Sequence, residues 1–135
     1  MVFRKRFLAL VFGLFLLSGP AVSQVKGDGF AEFFKGFQEA VAKNDKDKVA
    51  ALSGFPHFNW EEGLGDDVSR ETFLKNFEKL LTPEIRQKIA EGKFYKTDRG
   101  DYLKDWKHKG DQYTLVFDRQ PSGDFKFSGL LVGPY

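Results

Sequence analysis

The stretch YTLVFDRQPSGDFKFSGLL, residues 113–131, decides the fold class of this chain. Tyr113, Leu115 and Phe117 alternate with residues of the opposite face, which is the period-two pattern of a strand with one buried face. The segment PSGD, residues 121–124, supplies turn-forming residues, and apolar alternation resumes after it. The stretch therefore predicts an antiparallel hairpin whose apolar face needs a second layer to cover it.

That second layer is predicted upstream, where GFAEFFKGFQEAVAKND, residues 29–45, has a helical period. Its apolar side chains recur three or four positions apart and form one continuous stripe, as burial of one helix face requires. Asp28 is expected to cap the start of this helix and Asn44 its end. The stripe consists of Phe30, Phe33, Phe34, Phe37, Ala40 and Val41.

Three shorter helices are predicted after the first. DKDKVAALSG, residues 45–54, begins with an aspartate suited to an N-cap and ends with a glycine. SRETFLKNFEKLL, residues 69–81, is capped by Ser69 or Asp67, and residues 82–92 begin with a Thr-Pro pair and end with a glycine. These segments extend the helical layer.

The remaining segments are extended or polar. FPHFNW, residues 55–60, is predicted to be a short extended piece, and EEGLGDD, residues 61–67, a polar loop. KFYKTD, residues 93–98, and YLKDWKHK, residues 102–109, predict two further strands. Because helices come first and strands later, the predicted class is α+β, with N-terminal helices packed on one face of a curved antiparallel sheet.

This order of elements resembles the nuclear-transport-factor-2-like superfamily, whose fold is a cystatin-like α+β cone. The resemblance rests on FAEFFKGFQEAVAKND, KDKVAALSGFP, SRETFLKNFEKLLTPEIRQKI and YTLVFDRQPSGDFKFSGLL, and it covers about residues 28–132. It implies either a full cone or a reduced one. The superfamily contains isomerases, dehydratases and polyketide cyclases beside many non-catalytic binding modules, and dimers are common in it. The resemblance therefore leaves activity open.

The first 23 residues are expected to be a cleaved signal peptide. Residues 4–6 are positively charged, and residues 7–17 form an apolar run that is too short to span a bilayer. Small side chains at Ala21 and Ser23 suit the cleavage site that follows. We therefore expect export to the periplasm or secretion from a bacterium.

Residues 24–135 are then expected to form a single α+β domain. Three of the 21 Lys and Arg residues lie in the predicted signal, which leaves 18 against 19 Asp and Glu, a net charge of −1. This near neutrality gives no overall attraction to nucleic acid, and no stable membrane anchor is expected after cleavage. The chain has no cysteine, so disulfides and thiol catalysis are excluded, and no cofactor is expected.

Four residues are candidates for ligand binding. His57 titrates near neutral pH and is either a general base or a partly exposed residue at a strand edge. Trp60 either lines a pocket mouth or covers the core. Tyr95 and Tyr113 offer hydroxyl groups inside a cone. The resemblance implies that an enzyme of this superfamily places an Asp, Tyr or His there, and for that role Asp98 and Tyr102 are conceivable as well.

Two charged clusters have alternative interpretations. His108 lies among Lys104, Lys107 and Lys109, which form either an anion site or a lysine-rich strand edge that prevents pairing with other sheets. The acidic loop at residues 61–67 is either a cation site or a solvated connection. No zinc-binding or phosphate-binding motif is present in the sequence.

Three functions remain open from the sequence. The first is a non-catalytic module that holds a small apolar molecule between helices and sheet. The second is a protein-interaction module, such as an inhibitor or immunity-type partner, that uses the exposed sheet face; a homodimer is also compatible with the fold. The third is an isomerase or dehydratase. A filled interior favours the second function, an apolar cavity the first, and a cavity with a desolvated Asp or His beside a Tyr the third.

Overall fold

The computed structural model describes residues 27–134, and the predicted signal peptide, residues 1–23, lies outside the described residues. The predicted α+β class is confirmed, because helices dominate the first half of the described part and strands the second. The helices are α1 (Phe30–Ala42), α2 (Lys46–Ala51), α3 (Arg70–Lys75), α4 (Phe77–Leu80) and α5 (Pro83–Glu91). The strands are β1 (Phe58–Trp60), β2 (Gly65–Val68), β3 (Tyr95–Lys96), β4 (Tyr102–His108), β5 (Asp111–Arg119) and β6 (Phe125–Pro134).

The six strands form one open sheet in the order β2-β1-β6-β5-β4-β3. Every neighbouring pair is antiparallel except β1 and β6, which are parallel, so the prediction of a wholly antiparallel sheet is wrong. β1 runs parallel to β6 because the chain that leaves α2 is already hydrogen-bonded to β6. The Gly54 N–H donates to the Phe127 carbonyl at 2.9 Å, and the Phe127 N–H donates to the Leu52 carbonyl at 2.9 Å.

A glycine makes the parallel junction possible. Gly129 has a φ of 116°, lies opposite Asn59 and is buried. A Cβ atom at this position would overlap the backbone carbonyl oxygen of Asn59. Only a residue without a side chain therefore lets β1 approach β6 closely enough to join the sheet.

The predicted hairpin between β5 and β6 is confirmed. The two strands pair from Asp111 and Pro134 to Arg119 and Phe125, with one irregularity after Val116. The Gln120 N–H donates to the Asp124 carbonyl at 2.7 Å and closes the turn between the strands. The hairpin forms the centre of the sheet, with β1 on one side and β4 on the other.

Aromatic rings from α1 fill the space between the helices and the sheet. Phe37 is fully buried, and its ring centroid lies 5.0 Å from that of Phe117 on β5 and 4.9 Å from that of Phe127 on β6. The predicted helical stripe therefore faces the sheet. Phe33 departs from it in part: its ring contacts the rings of Phe37 and Phe117 but remains half-buried at the margin of the core.

The predicted N-caps of α2, α3 and α5 are observed, whereas the caps of α1 differ from the prediction. The N-cap of α1 is Gly29, with Asp28 one residue earlier accepting a bond from the Phe30 N–H at 3.0 Å, and its C-cap is Lys43 in place of Asn44. The Lys48 N–H donates to the Asp45 carboxylate at 3.2 Å, the Thr72 N–H to the Ser69 hydroxyl at 3.0 Å, and the Ile85 N–H to the Thr82 hydroxyl at 3.2 Å. Ser69 rather than Asp67 is the cap of α3. These bonds satisfy amide groups that the first helical turn leaves without partners.

Two elements differ from the sequence prediction. The helix expected over residues 69–81 is divided into α3 and α4 at Asn76, whose side-chain amide donates to the Thr72 carbonyl at 2.8 Å. The loop expected over residues 61–67 contains the start of β2, which pairs with β1. Pairing with β1 compensates for the weak strand propensity of the sequence GDDV.

Lys104 contradicts the prediction of a lysine-rich strand edge. Its side chain is buried, and its ammonium donates to the Gly92 carbonyl at 2.7 Å and lies 3.1 Å from the Glu91 carboxylate. The hydrogen bond from Lys104, together with its charge, lowers the pKa of Glu91. Lys104 therefore connects β4 to the end of α5 instead of protecting the edge of the sheet.

Candidate functional site

The four predicted ligand-binding residues do not converge on one site. His57 is exposed, with its Nδ1 3.5 Å from a carboxylate oxygen of Asp67. Tyr95 is exposed on the edge strand β3, and its hydroxyl donates to Asp105 at 2.8 Å, which raises its pKa. Trp60 and Tyr113 are buried.

Tyr113 and the residues next to Trp60 meet at one end of the sheet. The Tyr113 hydroxyl donates to the Glu62 carboxylate at 2.6 Å. Burial, and then this bond, raises the pKa of Tyr113 to about 12. The phenol is therefore neutral at physiological pH, and it fixes the start of the acidic loop to β5.

A small cleft of about 370 Å³ opens beside this bond and is lined by Trp60, Glu62 and Leu64 among others. Trp60 itself is almost fully buried, and its ring contacts the rings of Phe58 and Phe127. Trp60 thus packs as part of the core, and only a small part of its surface is available at the cleft.

Asp28 and Tyr102 form the pair that comes nearest to an enzymatic dyad. The Tyr102 hydroxyl donates to Asp28 at 2.7 Å, the Lys96 ammonium lies 3.0 Å from the same carboxylate oxygen, and the Phe30 N–H donates to the other oxygen at 3.0 Å. Burial by itself raises the pKa of Asp28, but these three donors and the Lys96 charge outweigh it and lower the pKa to about 2. Such a carboxylate is a weak base, so this pair is suited to anchoring α1 on the sheet and poorly suited to proton abstraction.

The Asp28 anchor predicts a pH-dependent contribution to stability. Because the pKa falls from about 3.8 to about 2 in the folded protein, the ionised form is favoured by folding, and this contribution is present above pH 4 and lost as the pH falls toward 2. Asp28→Asn is expected to lower the free energy of unfolding on the order of 2 kcal/mol at pH 7, with the difference shrinking between pH 4 and pH 2. Urea unfolding at several pH values measures this difference.

Glu32→Gln is the matched control, because Glu32 is exposed in the first turn of α1. A constant loss for Asp28→Asn from pH 7 to pH 2 would show that the carboxylate charge has no part in the anchor.

Tyr102 adds a contribution to stability at the other end of the pH range. Burial and the bond to Asp28 raise its pKa to about 12, so folding favours the neutral phenol. This contribution to the free energy of unfolding is present below pH 10 and is lost as the pH rises toward 12.

His108 forms an ion-pair geometry with Glu84, at 2.8 Å between Nδ1 and the carboxylate, and its ring lies 4.8 Å from that of Tyr113. This contact joins β4 to the first turn of α5. It also removes His108 from the lysine cluster that the sequence suggested. Within residues 27–134 no group of three or more His, Asp or Glu side chains converges as a metal site.

A groove of about 610 Å³ on the helical layer lies between α1 and α5. Its polar side chains already connect the two helices: the Gln38 amide donates to the Ile89 carbonyl at 3.0 Å, and the Arg86 guanidinium donates to the Leu81 and Val41 carbonyls at 2.7 and 3.1 Å. These donors hold the helices together and are not directed at a ligand.

The face of the sheet opposite the helices, hereafter the outer face, has a different character. The two large hydrophobic residues that are exposed in the described part of the chain, Tyr95 at 48 % and Leu131 at 39 %, both lie on this face. An open cleft of about 510 Å³ crosses it, hereafter the outer-face cleft. Leu103, Val116 and Leu131 supply the apolar residues of its floor.

Polar side chains from β5, β6 and the β3–β4 loop surround this floor. Asp98, Arg99 and Asp101 come from the β3–β4 loop, while Asp118 and Ser128 come from β5 and β6. The Ser128 hydroxyl donates to Asp118 at 2.6 Å, and the Arg119 N–H donates to Asp101 at 2.9 Å. Two of the three carboxylates are thus fixed in orientation by hydrogen bonds.

Sequence reasoning identified only part of the outer-face cleft. Of its lining residues Asp98 was a candidate, but as a residue of a cone interior. The signal that marks the floor is the presence of apolar residues on both faces of the hairpin: Val116 stands between the buried Leu115 and Phe117, and Leu131 follows the buried Leu130. A strand with a solvated outer face usually alternates apolar with polar residues.

In the part of the chain that the structure covers, no helix is long and apolar enough to cross a membrane. No protein-family model matches the chain, and no curated protein or solved structure matches it either.

Proposed function

We propose that this protein is a non-catalytic protein-interaction module that binds its partner through the outer face of the sheet. The observation that carries the proposal is the contrast between the two faces. The inner face is covered by close aromatic packing, whereas the outer face exposes Tyr95 and Leu131 and carries an open cleft that Leu131 lines. Exposed apolar residues with a polar rim are characteristic of protein-binding surfaces.

The same contrast bears on the other two functions. A small apolar ligand held between helices and sheet needs space that the rings of Phe37, Phe117 and Phe127 occupy. An isomerase or dehydratase needs a carboxylate with a raised pKa, and Asp28, the carboxylate beside Tyr102, has a lowered one. The geometry therefore favours the interaction module.

We also propose that the fold is a reduced member of the nuclear-transport-factor-2-like group, exported from a bacterial cell after removal of residues 1–23. Three features support the fold assignment: the aromatic-rich leading helix, the helical layer on one face of the sheet and the long closing hairpin. The apolar run and the small residues before Gln24 support export. Mass spectrometry of the protein purified from its own cells tests the cleavage directly.

Site-specific photocrosslinking tests the interaction surface. A photoreactive phenylalanine analogue replaces Leu131 on the outer face, and the same analogue replaces Lys75 at the end of α3 as the control. The protein linked through position 131 is identified by mass spectrometry, purified, and titrated against the unmodified chain and against Leu131→Ser by calorimetry. We expect an adduct from position 131 alone and binding at least about tenfold weaker for Leu131→Ser.

Two results would count against this proposal. One is the same set of adducts from positions 75 and 131. The other is unchanged affinity of the purified partner for Leu131→Ser, in a variant whose unfolding curve matches that of the unmodified protein.

A further inference from the structure

We infer that the outer-face cleft recognises a basic side chain, lysine or arginine, carried by an extended segment of the partner protein. This inference rests on the proposed function and names the chemistry of the partner. The aliphatic stem of the side chain lies along the apolar floor, and its cationic head reaches the carboxylates of the rim. Both parts of a lysine or arginine side chain then find complementary surface.

The floor suits an aliphatic stem because it is apolar and open at the same time. Leu103 and Val116 are half-buried and lie opposite each other on β4 and β5, and Leu131 on β6 is exposed. Together they form a strip that crosses three neighbouring strands. A chain laid over this strip removes apolar area from water.

The rim suits a cationic head because its charge is mainly negative. Three carboxylates and one guanidinium line the cleft. Arg99 is largely exposed, and its guanidinium lies 3.7 Å from one oxygen of Asp101. It therefore neutralises no more than this one carboxylate. Asp98 is exposed, and among the ion pairs of the described residues none includes it. Asp118 accepts a bond from a neutral partner, the Ser128 hydroxyl, and its cross-strand neighbour Lys126 donates its ammonium to the Ala51 carbonyl at 3.2 Å.

The wider outer face has the same sign. Asp105 accepts bonds from two neutral hydroxyls, those of Thr114 and Tyr95, each at 2.8 Å. By strand alternation Lys107 also points to this face, so it offsets one of the charges. The charged groups that the cleft and the strand pairing place on this face are then four carboxylates against three cations: Asp98, Asp101, Asp105 and Asp118 against Arg99, Lys107 and Lys126.

This excess of negative charge disfavours a second copy of the chain as the occupant. Two outer faces packed against each other bring like charges together, and a charge mismatch of this kind opposes association. A partner segment with basic side chains meets the opposite sign. Electrostatic complementarity of this type increases specificity and the rate of association.

Three short peptides test both parts of the inference by NMR titration of the ¹⁵N-labelled protein. The first is the capped hexapeptide LKKLLK, in which each side of an extended chain carries leucine and lysine. LEELLE replaces every lysine with glutamate, and SKKSSK replaces every leucine with serine. We expect LKKLLK to shift the amide signals of residues 103, 116, 118 and 131, LEELLE to leave them unchanged, and SKKSSK to bind more weakly than LKKLLK.

Variants then assign the charge effect to the rim. Asp98→Asn and Asp118→Asn are each expected to weaken LKKLLK binding roughly two- to fivefold, with the loss disappearing at high salt. Asp47→Asn, on the helical layer, is the matched control and is expected to bind the peptide like the unmodified protein. Leu131→Ser is expected to weaken the binding of LKKLLK, and also the binding of LEELLE if that peptide binds.

The outcomes separate the inference from the proposed function. If LEELLE binds the outer face as well as LKKLLK, the face is an interaction surface but the basic partner is wrong. If neither LKKLLK nor LEELLE shifts outer-face signals, or if they shift signals of α1 and α5 instead, both the inference and the proposed function fail. If the protein sediments as a dimer and the outer-face signals change on dilution, a second copy is the occupant.

Discussion

Phe37→Ala is expected to lower the free energy of unfolding by about 3–5 kcal/mol, because it empties the centre of the core. The Phe37 ring is fully buried between two other helical rings and the inward rings of β5 and β6. Both the transfer of the ring to water and the cavity that remains contribute to the loss. Urea unfolding, followed by tryptophan fluorescence, measures the change.

Phe33→Ala is the matched control for this prediction. Phe33 stands one helical turn earlier on the same helix and has the same side chain, but it is only half-buried. A smaller loss is expected, about 1–2 kcal/mol, because less apolar area leaves water at this position. Equal losses at the two positions would show that the helix is rotated relative to the sheet, and a loss below about 1 kcal/mol for Phe37→Ala would show that its ring is not in the core.

Gly129→Ala is expected to be the most damaging glycine substitution, with a loss of about 3 kcal/mol or more. Two costs add at this position. A φ of 116° is strained for any residue with a side chain, and the new methyl group collides with the Asn59 carbonyl. The collision partner is backbone, so relief requires β1 to separate from β6.

Gly133→Ala provides the control, because Gly133 lies on the same strand with no atom within 4 Å of an added Cβ. This change is expected to alter stability by less than about 1 kcal/mol. The fluorescence of Trp60, which pairs with Leu130 beside the junction, is expected to shift to longer wavelength in Gly129→Ala alone. Similar stability for the two variants would mean that β1 does not lie against β6 as described.

The local features of the fold could be predicted from the sequence because their causes are local. The aromatic stripe of α1 and the alternation of β5 report directly which face is buried. The caps at Asp45, Ser69 and Thr82 depend on side chains that lie within three residues of the amides they bind. The physical cause of each of these features lies within a few consecutive residues.

The pairing of distant segments could not be predicted in this way. The parallel contact of β1 with β6 joins residues 59 and 129, and nothing near Asn59 in the sequence indicates it. β2 has the composition of a turn and becomes a strand only through β1. Lys104 is part of a run of charged residues, yet the burial of its stem and its bond to Gly92 depend on where α5 ends.

In the candidate site, too, single residues could be predicted from the sequence but their distant partners could not. Tyr113 was a candidate for ligand binding, but its partner Glu62 is 51 residues away, in a loop for which the sequence left both a cation site and a solvated connection open. The Asp28–Tyr102 bond spans 74 residues, although each residue was singled out for another reason. The outer-face cleft combines residues from four strands and one loop, so the sequence indicated single residues such as Asp98 but not their arrangement.

Solvent paramagnetic relaxation measured on the side chains of the purified protein tests the central claim most directly. A soluble gadolinium chelate broadens the signals of protons that water can reach. We expect strong broadening for Leu131 and Tyr95 and protection for Phe37, Phe117 and Phe127. Protection of Leu131 and Tyr95, or broadening of the three phenylalanine rings, would contradict the account of a filled interior and an open outer face.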